Sequence, residues 1–251
     1  MRAFRPGLLP ALLACAFLAG HSTPAGAAAE IHKLNLVLTA SPSQIQGGDF
    51  NDFINNFNRA VLVPQGRESL DQIHAGWLFD VELRYLLRPN FAVSAGVGQM
   101  RSSSKRQYSF TRNDDWTLLA EVLTVPVHVG GTYYLAPYNQ GDFQARAYLG
   151  GGLLSLTDTH ASLTSVLISS GTPPPGSNAQ NLGAGDAMGW YTEAGAHMFF
   201  AVRYSVMLGI IYRSAIIRTT AVYFNQQYFG TQQASLDVGG AGARMSFAIG
   251  F

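Results

Sequence analysis

Apolar and polar residues alternate along eight segments of this chain, each about as long as one β-strand. The segment at residues 77–87, WLFDVELRYLL, places Trp77, Phe79 and Val81 on one face and Asp80 and Glu82 on the other. The other seven segments lie at residues 33–39, 91–98, 123–135, 143–151, 190–200, 203–213 and 243–251. The pattern predicts an all-β protein of eight strands, with a bulge or kink at Pro126 because proline cannot donate a ladder hydrogen bond.

The connections between these segments alternate between short and long. Short links occur at residues 87–90, 136–142 and 201–203, and long ones at residues 41–75, 101–115, 158–184 and 218–235. Aromatic residues gather around the short links. Long outer loops, short periplasmic turns and an aromatic girdle are typical of an outer-membrane barrel.

A soluble barrel or sandwich would also give alternating strands, with the charged face turned to water. Here the less apolar face is rich in Gly, Ser and Ala, and charged residues make up only 12% of the chain, against about 25% in soluble domains. After the N-terminus no apolar run reaches the ~18 residues of a membrane-spanning helix. Since only helices and closed barrels satisfy the backbone in lipid, the composition favours a membrane barrel with a narrow, filled lumen.

The N-terminus has the features of a secretory signal. Arg2 and Arg5 precede an apolar run at residues 8–20, and Ala25-Gly26-Ala27 fits a cleavage site. We therefore expect a signal peptide at residues 1–29 and one barrel domain at residues 30–251. Cys15, the only cysteine, lies inside the signal; LLAC is also a weak lipoprotein motif, but the apolar run continues past it. The mature chain should therefore contain no disulfide and no thiolate ligand.

The chain ends in MSFAIGF, with Phe247, Ile249 and Phe251 on one face of the last segment. With the signal peptide, eight strands and alternating loops, this ending resembles the small OmpA/OmpX/OmpW-type outer-membrane barrels. The resemblance implies an eight-stranded antiparallel up-and-down transmembrane β-barrel in the cell outer membrane, surrounded by its lipid. It also implies that these three residues form the signal read by the barrel assembly machinery.

Charged residues on the inward face form a candidate lumen network. Eight strands leave an interior just wide enough for side chains to fill, which favours mutually neutralising ion pairs over a selective pore. Pairs such as Glu82–Arg146 or Glu193–Arg213 are plausible, although the sequence does not assign partners. The set, to which Lys33 also belongs, is Asp80, Glu82, Arg84, Arg146, Glu193, His197, Arg213 and Arg244.

The first long loop contains a helical pattern in an otherwise β-rich chain. Phe50, Phe53, Ile54 and Phe57 recur at helical spacing, after Asp49 as a candidate N-cap and before a stop at residues 64–66. This predicts an amphipathic helix that packs on the barrel mouth. The alternative is that it lines a site for a small apolar ligand or rests on the outer leaflet.

Few residues suggest catalysis or metal binding. His160 and Ser162 share one face if the strand continues, and lipid A deacylase barrels resemble this in using a His and a Ser at that spacing with a nearby acid. No flanking match supports the pair. The other histidines lack metal-ligand spacing, and the glycine-rich stretches precede strands, not the helix of a phosphate loop. We expect no catalytic residues, cofactor or metal.

The net charge of +1 gives no indication of a nucleic-acid partner. The leading functional hypothesis is a non-enzymatic barrel with a structural or surface-interaction role. The alternative is a narrow conduit or binding barrel for small apolar molecules, as the likeness to OmpW-type proteins suggests. A lipid A-modifying hydrolase is the third hypothesis.

Overall fold

The computed structural model describes residues 32–111, 114–140, 143–169, 178–184, 186–200, 203–218, 220–224, 227–232 and 235–251. The expected signal peptide at residues 1–29 lies outside these residues. In the described part of the chain, no helix has the length and apolar character needed to cross a membrane.

Eight antiparallel strands close into a barrel, as the alternation predicts. Each pairs with its neighbours, and the first strand pairs with the last through Leu36 opposite Ile249 and Leu38 opposite Phe247. The strands are β1 Leu34–Gln44, β2 Ala75–Arg88, β3 Phe91–Thr111, β4 Asp114–Tyr134, β6 Phe143–Ser169, β8 Ala187–Phe199, β9 Tyr204–Ser214 and β14 Gly240–Gly250. The short strands are β5 Tyr138–Gln140, β7 Asn178–Ala184, β10 Ile216–Ile217, β11 Thr220–Phe224, β12 Gln227–Gln232 and β13 Leu236–Asp237.

The barrel turns its apolar face outward. On β2, Phe79 is 59% exposed and Leu83 54%, whereas Glu82 between them is 1% exposed. The apolar face of β4 also points outward, since Val127 and Val129 are exposed. A continuous belt of exposed aliphatic and aromatic side chains would be costly in water, so this surface belongs in the hydrocarbon of a bilayer.

Three strands run well beyond the belt, on the side of the long connections. β3 and β4 each have 21 residues and β6 has 27. Beyond the belt they continue as one sheet with β7, β11 and β12, which we call the wall. The prediction that residues 101–115 form a long outer loop is therefore wrong, because β3 extends to Thr111 and β4 begins at Asp114.

A change of partner on β6 separates the barrel from the wall. β6 pairs with β8 up to Leu156 and with β7 from Thr159 onward. Between them Asp158 has a φ of 48°, and the β4–β6 register shifts between Leu123 and Val125. The irregularity lies directly before Pro126, where the sequence predicts a bulge or kink.

The first loop forms the predicted helix. α1 spans Asp49–Phe57 and continues as a π-helical turn, Asn58–Leu62, and a 3-10 turn, Val63–Gln65. Asp49 is not the N-cap: Gly48 occupies that position, and the Asp49 carboxylate instead accepts hydrogen bonds from the backbone N–H (2.6 Å) and the hydroxyl (3.0 Å) of Ser235. The helix start is therefore fixed to the segment that leads into β13.

Two buried asparagines hold the return segment of this loop beside the helix. The Asn51 amide exchanges two hydrogen bonds with the backbone of Ile73, at 2.9 and 2.8 Å, and the Asn58 amide does the same with Leu70, both at 2.9 Å. Each side chain thus satisfies backbone groups that would otherwise be buried without partners. We call residues 45–74 the cap.

Candidate functional site

Four buried charged side chains form a closed ring inside the barrel. Arg84 Nη2 lies 2.6 Å from Glu82 Oε1 and 3.4 Å from Glu193 Oε1. Arg244 Nη2 lies 3.1 Å from Glu82 Oε2, and its Nη1 contacts Glu193 Oε2. Each arginine thus bridges both glutamates, and strands β2, β8 and β14 contribute to one neutral cluster, the ion ring.

Hydroxyl groups complete the hydrogen bonding of the ion ring. Arg84 Nη1 donates to the Tyr134 hydroxyl at 2.9 Å, Thr132 Oγ1 donates to Glu193 at 3.3 Å, and Arg244 Nε donates to Ser246 Oγ at 3.1 Å. Buried charges are costly unless they are paired and hydrogen-bonded. The ring meets both conditions and occupies the lumen at this level.

The remaining predicted network residues lie outside the ring. Asp80 contacts His128 Nε2 at 3.0 Å, and His197 Nε2 lies 2.7 Å from Ser205 Oγ. Arg146 donates to the Pro89 carbonyl at 2.7 Å. Arg213 is buried in the barrel interior.

The pairs considered from sequence are wrong. Glu82 binds Arg84 and Arg244 and not Arg146, and Glu193 binds the same two arginines and not Arg213. Sequence reasoning also missed the polar partners of the network. The missed residues are Thr39, His128, Thr132, Tyr134 and Ser246. Strand alternation, which places them on the inward face, was the signal that could have identified them.

The cap lies over the ion ring, and the face of the cap that contacts the barrel is apolar. Phe50, Ile54 and Leu62 are buried in one cluster with barrel and wall residues such as Leu118 and Leu163. Phe53 and Phe57 are partly buried and pack against the same cluster. This places all four predicted helix residues, Phe50, Phe53, Ile54 and Phe57, on the face that contacts the barrel mouth.

Polar contacts attach the cap to the wall as well. Arg106 on β3 lies 3.0 Å from Glu68 and 3.3 Å from Asp71, and the Tyr108 hydroxyl donates to the Glu68 carbonyl at 2.6 Å. Burial raises the pKa of Tyr108, so it remains a neutral donor. The lumen is thus filled by charged side chains at one level and closed by an apolar cap above.

The three residues of the predicted assembly signal lie on the outward face of β14 and at its end. Phe251 and Phe247 are exposed, and Phe247 stacks on Tyr204 with ring centroids 5.8 Å apart. Ile249 lies between them on the same face, and the Phe251 N–H donates to the Leu34 carbonyl at 2.8 Å. Their role in assembly stays a prediction.

The outward face of the wall carries a compact group of polar side chains just beyond the belt. His160 Nε2 lies 2.5 Å from Asp158 Oδ1, and both side chains are exposed. Ser162 is opposite Glu121 in the β4–β6 register, and Glu121 in turn contacts Arg101 at 2.5 Å. The structure shows no hydrogen bond between His160 and Ser162.

Three inward residues could in principle hold a metal. Asp80, Glu82 and His128 each offer a ligand atom within 4.8 Å of the others. Glu82, however, already binds two arginines, and those guanidinium groups oppose a cation. The geometry gives no support to a metal centre here.

No family model and no curated protein matches the sequence. Among solved structures, the outer membrane protein OprG of Pseudomonas aeruginosa is similar with a TM-score of 0.51 and 10% identity, covering 88% of this chain and 96% of OprG. Neisserial surface protein A gives 0.40 and 11% over 90% and 100% of the two chains, and the protease OmpT of Escherichia coli gives 0.34 and 9% over 87% and 96%.

At such low identity the likeness to OprG concerns the fold alone. That fold agrees with the closed ring of eight strands and the exposed apolar belt. The chain is therefore an eight-stranded outer-membrane β-barrel.

Proposed function

We propose that the protein is a non-enzymatic outer-membrane barrel with a structural or surface-interaction role. The observation that carries this proposal is the closed lumen. The ion ring spans the interior, and the cap buries Phe50, Ile54 and Leu62 above it. A barrel blocked at two levels by well-paired side chains is suited to present a surface, not to pass solutes along its axis.

The wall supplies such a surface. It continues β3, β4 and β6 beyond the membrane, and its outward face carries Arg101, Ser103 and Lys105, all exposed. A sheet held in place by the cap on its inner face is a more rigid platform than a set of free loops. Outer-membrane lipid and the barrel assembly machinery are the partners this proposal requires.

The conduit hypothesis can be tested against this proposal by uptake. Cells that produce the protein should take up labelled naphthalene, a small apolar solute, no faster than matched cells without it. Ile54→Ala, which opens space under the cap, is the informative variant, and Asn56→Ala, an exposed position of α1, is its control. Faster uptake by cells with the wild-type protein would mean that the protein is a conduit, and the proposed surface role would be wrong.

A lipid hydrolase is the second candidate, favoured by one observation. Asp158 and His160 form a short contact, and Ser162 lies two residues along the same strand with Glu121 opposite. A histidine oriented by a carboxylate is the arrangement that activates a hydroxyl nucleophile. Against this candidate, the structure shows no bond from His160 to Ser162, and Glu121 is bound to Arg101.

This candidate has a direct test. Purified protein in vesicles containing lipid A should release no fatty acid if the surface role is correct. Release that is abolished by His160→Asn and by Ser162→Ala, but kept by the exposed control Ser103→Ala, would establish the hydrolase instead.

A further inference from the structure

A small cavity lies inside the barrel between the ion ring and the cap. Its volume is about 30 Å³, and a site needs roughly 10–15 Å³ to hold one water molecule. The cavity therefore has room for one or two water molecules and is too small for a larger solute. Much of its lining is apolar, and the polar part consists of Thr39, Ser41, Asp80, His128, Arg213 and Arg244.

Arg213 on β9 is a buried cation in this lining. It is 4% exposed, and among the described residues no acceptor lies within hydrogen-bond reach of its Nε, Nη1 or Nη2. A guanidinium stays charged in proteins, and a buried charge is costly unless it is paired and hydrogen-bonded. Arg213 therefore needs both a counter-charge and a hydrogen-bond acceptor.

Asp80 on β2 is the counter-charge available to Arg213. The two glutamates of the ion ring are already balanced by its two arginines. Asp80 lines the same cavity as Arg213. Its 3.0 Å contact with His128 Nε2 is made by Oδ1, whereas a carboxylate has two oxygens and about four acceptor positions. With a neutral His128 that donates its Nε2–H, one acid and one base remain at this level of the lumen, and their charges cancel.

Ser41 supplies a second acceptor in the cavity. Ser43 Oγ donates to the Ser41 carbonyl at 3.2 Å, so the Ser41 hydroxyl is the donor in its own 3.1 Å contact with Ser43 Oγ. The lone pairs of Ser41 Oγ can then accept a hydrogen bond. Water in the cavity therefore meets one donor, Arg213, and two acceptors, Asp80 and Ser41, in agreement with the roughly three hydrogen bonds that buried water makes.

We propose that an ordered water molecule joins Arg213 to Asp80 as a water-bridged ion pair. The water accepts a hydrogen bond from the guanidinium and donates one to the Asp80 carboxylate and one to Ser41 Oγ. The bridge links β2 to β9, a strand that contributes no residue to the ion ring. It goes beyond the proposed surface role, because it assigns a bound ligand to the cavity and a second neutral cluster to the closed lumen.

The crystal structure of the wild-type protein at high resolution tests the bridge directly. It should show ordered water within hydrogen-bond distance of both the Arg213 guanidinium and the Asp80 carboxylate. Crystals grown in bromide should show the same peak without an anomalous signal. A direct contact between the two side chains, a cavity without ordered water, or an anomalous bromide peak in it would overturn the proposal.

The energetic coupling of Asp80 and Arg213 is the second test, made on the whole refolded chain in lipid vesicles. Asp80→Asn and Arg213→Met should each lower the folding equilibrium constant, because each leaves the opposite charge buried without a counter-charge. The double variant removes both charges, so its loss should be smaller than the product of the two single losses by a factor of about 10.

The matched control combines Asp80→Asn with Arg101→Met, which changes an exposed arginine of the wall. These two losses should simply multiply, since the two sites share no partner. Losses that also multiply for Asp80→Asn and Arg213→Met would mean that the two residues are not a pair, and the proposal would be wrong. The crystal measurement concerns the wild-type protein, so it decides the matter even if Arg213→Met does not fold.

Discussion

Arg84 is the residue on which the closed lumen depends most. It contacts both glutamates of the ion ring and the Tyr134 hydroxyl, and it is fully buried. Arg84→Ala should lower the free energy of unfolding by about 3–5 kcal/mol, because it leaves two buried carboxylates with Arg244 as the single cation between them. Urea unfolding in lipid vesicles measures this loss.

The matched control is Arg101→Ala. Arg101 also binds a glutamate, Glu121, but its side chain is 64% exposed, so the loss should be only about 0–1 kcal/mol. Equal losses for Arg84→Ala and Arg101→Ala would mean that the ion ring is hydrated, and the account of a packed lumen would be wrong.

The sequence predicts which residues face the lumen but not which of them pair. Strand alternation assigns Glu82, Glu193 and Arg146 to one face, since that needs only the period of two. Pairing depends on the height of each residue in the barrel. Arg146 lies at the level of the Pro89 carbonyl, far from Glu82 along the axis, and height follows from strand register, which alternation does not give.

The cap is the element that closes the mouth, and Ile54 is a fully buried residue on the inner face of α1. Ile54→Ala should cost about 2–5 kcal/mol, from lost apolar burial and the cavity left behind. Limited proteolysis of residues 45–74 on intact cells should then become faster. Asn56→Ala, on the exposed side of α1, should leave the cleavage rate unchanged; an unchanged rate for Ile54→Ala as well would mean that the cap does not rest on the mouth.

The last strand offers a test of assembly. Deleting Phe251, or changing it to Ser, should reduce the amount of folded barrel in the outer membrane, seen as loss of heat-modifiable migration on gels. Phe200→Ser is the control, because Phe200 is an exposed aromatic residue that lies just after β8 and not at the chain end. Normal assembly of the Phe251 variants would show that β14 carries no terminal signal.

The elements of the membrane region follow from sequence, whereas the wall does not. Within the bilayer one face of each strand must be apolar, so the alternation is clear. In the wall, both faces of β3 carry polar residues, such as Ser102 and Ser104 inside and Ser103 and Lys105 outside. The alternation of apolar and polar residues is therefore lost in the wall. The length of these strands is recognised only from their pairing with neighbouring strands in the structure.

At the scale of the whole molecule, the alternation of short and long connections predicts which end of the barrel faces outward. An epitope tag inserted at Pro174 should be accessible to antibody on intact cells, and one at Asn90, in the turn between β2 and β3, should not. Labelling only after permeabilisation is the expected behaviour of the Asn90 tag. Labelling of the Asn90 tag on intact cells would mean that the barrel has the opposite orientation in the membrane.

The central claim is that the lumen is closed, and conductance across a planar bilayer tests it most directly. The ion ring and the cap block the axis at two levels, so the purified, refolded wild-type protein should show no steady conductance steps. Steady steps whose ion selectivity changes in Glu82→Ala and Arg84→Ala, with little change in the stability of either variant, would contradict the account and establish a water-filled channel.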